Sequence, residues 1–360
     1  MRFVALVLHR LLWFVPTLLG LLVVTFVVSR VIPADPVALV AGETATPAQV
    51  DELRRQLGYD RALPVQFGEY VVRLVRGDMG TSIFTRRPIV EDLAHRLPAT
   101  IELTVVAMVV SVLAGIPLGV LSALWRNSPL DHALRVVTVS GLAVASFWLG
   151  IMLQLLFAMR LGWMPLNGRL QGFPPRSITG FYLVDAALTA DWPTFGSALM
   201  HLALPAATLA FPALATLVRF TRAGVLDVMQ SNFVLYQRAM GLPRALIVWK
   251  YMLRSALTST VTQIGLLFGI LLAGAVVTEA VFDWPGIGTY AVNSIVRSDY
   301  NAVMGFTVWA GGVFIVVNLL VDVVHTLVDP RELIGGGLAG PSRTSPGLGW
   351  RRQGRRSKGG

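Results

Sequence analysis
The chain has 360 residues, of which 54% are hydrophobic and only 14% charged, a balance far more apolar than that of a soluble protein. It contains no cysteine, which excludes disulfide frameworks, thiolate metal sites and cysteine nucleophiles. The net charge of +10 is carried almost wholly by arginine, Lys250 and Lys358 being the only lysines.

Arg2, His9 and Arg10 precede an apolar stretch from Leu11 to Ser29. About 20 such residues cross roughly 30 Å of hydrocarbon. No small-x-small cleavage pattern follows, so the stretch reads as a retained first span rather than a secretory signal. From Ile32 to Pro98 nine basic residues, counting Arg30 and Arg96, balance nine acidic ones, which suggests a small folded insertion. Thr46, Pro47 and Gln49 form a capping box with proline at the first helical position. Val50, Leu53 and Leu57 then give one apolar face, ended by Gly58. Phe67, Tyr70, Val71, Leu74 and Val75 repeat the helical spacing up to Gly77, and a third short helix is expected from Ile89 to Leu97, stopped by Pro98. Such amphipathic helices suit the outer membrane surface or a docked partner.

Five further uncharged stretches of membrane length follow: Leu103 to Leu124, Val136 to Met159, Phe195 to Val218, Ser255 to Thr278 and Asn301 to Val321. Six spans place both termini on one side, and the short arginine-rich connections put that side in the cytoplasm. The few polar groups near the spans, Glu102, Glu279 and Asp322, sit at helix ends, where they could reach the interface. His201 and Asn318 lie deeper and suit hydrogen bonding between helices better than an ion relay. The segments expected are 1–31 for the N-terminus and first span, 32–98 for the extracytoplasmic insertion, 99–334 for a five-span core, and 335–360 for a disordered basic tail that would favour anionic lipid.

The connection 221–254 is too long and too patterned for a simple loop. Asn232 can cap a helix running to Met240, Gly241 supplies a turn, and Pro243 opens a second helix carrying Arg244, Lys250 and Arg254. Phe233, Leu235, Tyr236 and Met240 either form an outward-facing apolar knob or pack beneath the chain's own helices. Catalytic patterns point elsewhere: neither lysine follows glycine as a phosphate-binding loop requires, the five histidines lack metal-ligand spacing, and no G-x-S-x-G elbow occurs. No catalytic residue, metal site or cofactor is therefore assigned to this chain.

Several short motifs recur in a fixed order. Arg238, Ala239, Met240 and Gly241 form an R-A-x-G run, with Leu235, Tyr236 and Gln237 before it. Asp35 and Pro36 follow the first span; Gly77, Asp78, Met79, Gly80, Thr81 and Ser82 precede Arg96, Leu97 and Pro98. Glu279, Phe282, Trp284, Pro285, Gly286 and Gly288 follow the fifth span, and Asp329, Pro330 and Arg331 the sixth. In these marks the chain resembles, over residues 1 to 332, the first permease subunit of the dipeptide, oligopeptide and nickel importers of the ATP-binding-cassette type. The family's E-A-A triplet before R-A-x-G is replaced here by Leu235, Tyr236 and Gln237.

The resemblance implies an all-α integral membrane protein of the type I importer permease fold, with about six transmembrane helices. It implies a bacterial inner-membrane transport subunit that is not itself an enzyme, working with a second homologous permease, two ATPase subunits that hold ATP and Mg, and an extracytoplasmic binding protein. No nucleic acid is implied. Asn232, Tyr236, Arg238, Ala239, Met240, Gly241 and Pro243 would couple to the ATPase. Glu279, Phe282, Trp284, Pro285, Gly286 and Gly288 would form an outer gate or binding-protein contact. Asp35, Pro36, Gly77, Asp78, Gly80, Asp329, Pro330 and Arg331 would be structural. The substrate implied is a di- or oligopeptide, a nickel chelate or a related solute. A stand-alone channel or secondary transporter is the rival reading.

Overall fold
A computed structural model describes residues 2–31, 41, 45–56 and 58–328, and most of these are helical. Helix α1 (Arg2–Val31) leads to two short helices, α2 (Pro47–Gln56) and α3 (Leu63–Val75). The bundle follows: α4 (Ile89–Leu124), α5 (Pro129–Ala143), α6 (Ser146–Leu153) prolonged by a π-helical segment to Arg160, α7 (Tyr182–Leu188) and α8 (Trp192–Met229). Next come α9 (Asn232–Ala239), α10 (Leu253–Val281), α11 (Ile287–Val296) and α12 (Tyr300–Val328). Among the described residues four helices are long and apolar enough to cross a membrane, or five if the bent pair α5–α6 counts as one span; α1 contributes a shorter apolar stretch, Val15–Val28.

The capping box forms: the Thr46 N–H donates to Gln49 Oε1 at 2.9 Å and the Gln49 N–H to Thr46 Oγ1 at 3.4 Å. Gly58 and Gly77, both at positive φ, follow the helices they were expected to end. Pro98 does not stop its helix, correcting the expected three-helix insertion. Proline removes one N–H from the ladder, but Ile89 and Leu93 before it and Ala99 and Leu103 after it are all fully buried, so packing on both sides carries α4 through. The stretch expected as one span at Val136 to Met159 is bent by 109°, because Val144 and Ala145 are both extended between α5 and α6. Helix α8 outruns its expected span at both ends. Asp191 caps it, accepting from the Thr194 N–H at 3.2 Å, and its 38 residues reach about 57 Å.

The core lies where α4, α8 and α10 meet, built from Leu103, Ala107, Leu202, Ala206, Leu209 and Leu271. In lipid, where apolar side chains gain little by leaving the solvent, helices associate by close packing over small residues. Gly115 and Gly119, one turn apart on α4, face Leu217 and Thr221 of α8; a Cβ on Gly119 would lie 2.7 Å from Thr221 Cβ and 2.9 Å from the Val218 carbonyl oxygen. His201 stays within its own helix, its Nδ1 2.7 Å from the Ser197 carbonyl oxygen, so it does not bond between helices as expected.

Gly119→Val should force α4 and α8 apart and cost about 1–3 kcal/mol. Thermal unfolding of the purified protein in detergent measures this, and an unchanged midpoint would refute the close approach.

Candidate functional site
Polar chemistry gathers at two places at opposite ends of α10. At the end that carries Glu279, one turn of α4 holds three separate segments. The Ala99 carbonyl accepts from the Trp284 indole Nε1–H at 2.9 Å. Thr100 Oγ1 donates to Glu279 Oε1 at 2.5 Å and accepts the Ile287 N–H at 2.9 Å. Glu102 pairs with the Arg169 guanidinium and accepts the Leu183 N–H at 2.7 Å. Arg169 also donates to the Gly180 carbonyl at 2.9 Å and stacks over the Tyr182 ring at 3.7 Å.

Glu279 completes the arrangement. Its carboxylate is fully buried and accepts from the N–H groups of Gly288 at 2.7 Å and Thr289 at 3.2 Å, the opening turn of α11. A carboxylate at a helix N-terminus meets unpaired N–H groups and the positive end of the helix dipole. A Cβ on Gly286 would fall inside this carboxylate, and one on Gly288 would collide with the Val276 backbone, so both positions need glycine for space. Glu102 and Glu279 are thus sequestered, correcting the expectation that they reach the membrane interface.

Of the six residues expected at an outer gate, Glu279, Phe282, Trp284, Gly286 and Gly288 are buried and Pro285 alone is exposed. Trp284, at 1% exposure, is an internal anchor of this end. The Phe282 carbonyl accepts the Gly168 N–H at 3.0 Å, tying the same turn to the loop before α7. In the first turn of α7, Asp185 accepts from Ile178, Thr179 and Gly180 of that loop. Burial opposes its charge, but the side-chain and backbone donors of Thr179, with the backbone of Ile178 and Gly180, outweigh burial and hold the carboxyl below its ordinary pKa.

The G-D-M-G-T-S run wraps the start of α4. The Gly80 N–H donates to Asp78 Oδ1 at 2.8 Å, the Ile89 N–H to the Gly80 carbonyl at 3.0 Å, and Ser82 Oγ to Asp299 Oδ2 at 2.6 Å just before α12. Gly77 lies at the head of this run, directly after α3. Asp35, Pro36, Asp329, Pro330 and Arg331, with the whole tail 335–360, lie outside the described residues.

At the other end of α10, α9 makes a short exposed helix. It begins at Asn232 itself. The cap position falls one residue earlier, at Ser231, whose hydroxyl donates back to the Val228 carbonyl at 2.5 Å, so the expected Asn232 cap is corrected. Val234 is fully buried and packs in a cluster with Val225, Ile247 and Met252, while Leu235, Tyr236 and Met240 are 56%, 65% and 63% exposed. Arg238, Ala239 and Pro243 are exposed beside them. Gly241 sits at φ +78° with open space where a Cβ would be, and two bonds close the helix end: Gly241 N–H to the Arg238 carbonyl at 3.0 Å and Leu242 N–H to the Gln237 carbonyl at 3.3 Å. That conformation is what a glycine stop supplies. After Pro243 the chain is helical from Arg244 through a π-helical segment, Ile247–Met252, straight into α10.

Two ionic partners are not recognisable as such in the sequence, Arg169 for Glu102 and Arg222 for Asp131, whereas Arg135, which Asp131 also takes, stands at the readable i,i+4 helical spacing. The Ser128-Pro129 helix start near Asp131 is a readable sign, but a partner 91 residues away leaves none.

The chain belongs to the family described as binding-protein-dependent transport system inner membrane component, which it matches over residues 115–333, with that family's N-terminal membrane component matched over 1–104. It is 46% identical to the probable D,D-dipeptide transport system permease protein DdpB of Escherichia coli K12, over 88% of this chain and 94% of that one. It is 36% identical to the dipeptide transport system permease protein DppB of Alkalihalophilus pseudofirmus, over 90% and 97%. Its fold is similar to a chain of the MetNI methionine ABC transporter in an inward-facing conformation, with a TM-score of 0.50 and 18% identity, covering 66% of this chain and 96% of that one.

Thr100→Val, which keeps the shape of the side chain but removes the hydroxyl, leaves the Ile287 N–H unpaired and Glu279 short of a donor. It should lower stability by about 1–3 kcal/mol, while Thr100→Ser stays near wild type. Equal unfolding midpoints for the valine variant and wild type would contradict the knot.

Proposed function
We propose that this chain is the transmembrane subunit of an ATP-driven importer of di- or oligopeptides, forming half of the pathway beside a second, homologous permease. The peptide assignment is supported by the dipeptide permeases it is similar to. Two ATPase subunits dock beneath it and hold ATP and Mg, and an extracytoplasmic binding protein delivers the substrate. The chain crosses the membrane six times, α1 and the bent pair α5–α6 each counting as one crossing, with both termini and α9 in the cytoplasm. The helical insertion lies outside, as does the knot around Glu279.

One observation carries the reading: a short helix with a buried Val234 beneath and exposed Leu235, Tyr236 and Met240 above, joined through a left-handed glycine to a continuous helix that ends in α10. A free loop does not keep three large apolar side chains in water. Seated in a cleft of an ATPase subunit, α9 moves as a body when the nucleotide domains close and tilts α10 with it. Asn232, Arg238, Ala239 and Pro243 frame this contact. The gate role rests on the buried set around Glu279, with Pro285 the exposed tip, and not on Trp284 as a contact.

Gly241→Val places a β-branched side chain in the left-handed region, at a cost of about 1–3 kcal/mol. In proteoliposomes holding the complete transporter, it should reduce substrate-stimulated ATP hydrolysis to the basal rate while membrane insertion is unchanged. Full stimulation in the variant would sink the coupling role. Vesicles holding this chain alone should pass no peptide; flux there would favour a stand-alone channel or secondary transporter. Mass spectrometry of the solute retained by the cognate binding protein identifies the substrate, and a nickel chelate in place of a peptide would overturn that part.

A further inference from the structure
A second charged cluster lies at the end of the bundle where α9 projects. Asp131, fully buried at the start of α5, accepts from Ser122 Oγ at 2.6 Å, the Asn127 N–H at 3.0 Å, Arg135 at 2.5 Å and Arg222 at 2.9 and 3.1 Å. Beside it opens a cavity of about 510 Å³, within the ~300–1,000 Å³ typical of ligand pockets. Arg126, Arg135, Arg219 and Arg222 all line it. Four guanidinium groups line the cavity and two of them, Arg135 and Arg222, share the one carboxylate beside it, so the site keeps a net charge of +3 (four less one). Arg126 and Arg219 form no ion pair among the described residues.

Unlike a site for a free ion, this one has an apolar exit. Val139 lines the cavity and belongs to an exposed stripe with Val136 and Leu142 that runs along α5 away from the arginines. Trp125, half exposed at the end of α4, stands at the same level, a position that amphipathic aromatic rings favour at the headgroup boundary. We infer that the arginine cavity beside Asp131 binds the phosphate headgroup of an anionic phospholipid of the cytoplasmic leaflet, with an acyl chain lying along Val136, Val139 and Leu142. Arginine matches phosphate oxygens with two parallel N–H donors, and the cytoplasmic leaflet concentrates anionic lipid. Asp131 keeps Arg135 and Arg222 in place; Arg126 and Arg219 are the groups left to meet the phosphate. The inference rests on the membrane orientation proposed above.

The test uses the complete transporter, delipidated and supplied with phosphatidylglycerol and phosphatidylcholine, with bound lipid counted by native mass spectrometry. Wild type should retain phosphatidylglycerol in preference. The double variant Arg126→Gln, Arg219→Gln, which spares every partner of Asp131, should lose one phosphatidylglycerol per chain with an unchanged thermal midpoint. Equal retention by the variant would overturn the site. Displacement of the lipid by excess inorganic phosphate would overturn the choice of lipid over free phosphate. With p-benzoylphenylalanine in place of Val139, crosslinking to lipid is expected, and crosslinking to a partner subunit instead would assign the surface to protein. Because the chain has no native cysteine, Arg126→Cys reports the side directly. Labelling by an impermeant maleimide from outside intact spheroplasts would overturn the orientation whatever the lipid count.

Discussion

Buried polar groups must find partners inside the protein, and in this chain one helical turn, Ala99 to Glu102, supplies them for three separate segments. The Trp284 indole, the Ile287 and Leu183 N–H groups, and the Arg169 guanidinium all end on that turn. Irregular backbone is buried at low cost only where such partners exist. Remove the turn, and α11, the loop before α7 and the end of α10 have no common support. The Glu102–Arg169 pair need add little net stability to do this, since desolvation offsets much of the attraction between buried charges. Its value is positional. Either charge alone, left buried, would be costly, so the two segments cannot part cheaply.

The opposite end has a different character. There the anchoring is apolar, through Val234 against Ile247 and Met252, and Leu235, Tyr236 and Met240 on the outward face stay exposed among the described residues. Between the ends runs α10, continuous with the helix that begins after Pro243 and interrupted only by a π-helical segment at its base. Such segments mark functional positions more often than chance. In the proposed mechanism the Glu279 end is the fixed end, α9 the docking end, and the helix between them the lever. The small-residue contact of α4 with α8 at Gly115 and Gly119 keeps the supporting wall close-packed.

Local features were legible in the sequence because local chemistry decides them. The Thr46–Gln49 capping box, the stops at Gly58 and Gly77, the left-handed Gly241 and the restart after Pro243 all follow from short-range hydrogen bonding and φ preference. Failures arose where tertiary packing outweighed a local rule. Pro98 signals a helix end, yet buried neighbours on both sides carry α4 through it. Glu102 and Glu279, at the ends of apolar runs, could have reached water, but donors from distant segments enclose them. Hydropathy sees Val136 to Met159 as one apolar run and cannot register the two extended residues that bend it by 109°. Asp131 and Arg222 read as unrelated loop charges because nothing local links residues 91 apart.

The central claim is that the Glu279 end holds its shape while the Gly241 end moves. Pulsed electron paramagnetic resonance on cysteine pairs introduced into this chain, which has no cysteine of its own, and assembled with partner subunits freed of theirs tests it directly. Ile178 and Ile295, both exposed and both on segments tied to α4, make one pair; Tyr236 and Ile295 make the other. On ATP binding, the account predicts an unchanged Ile178–Ile295 distance distribution and a shifted Tyr236–Ile295 distribution. A shift in the first pair with the second unmoved would contradict it.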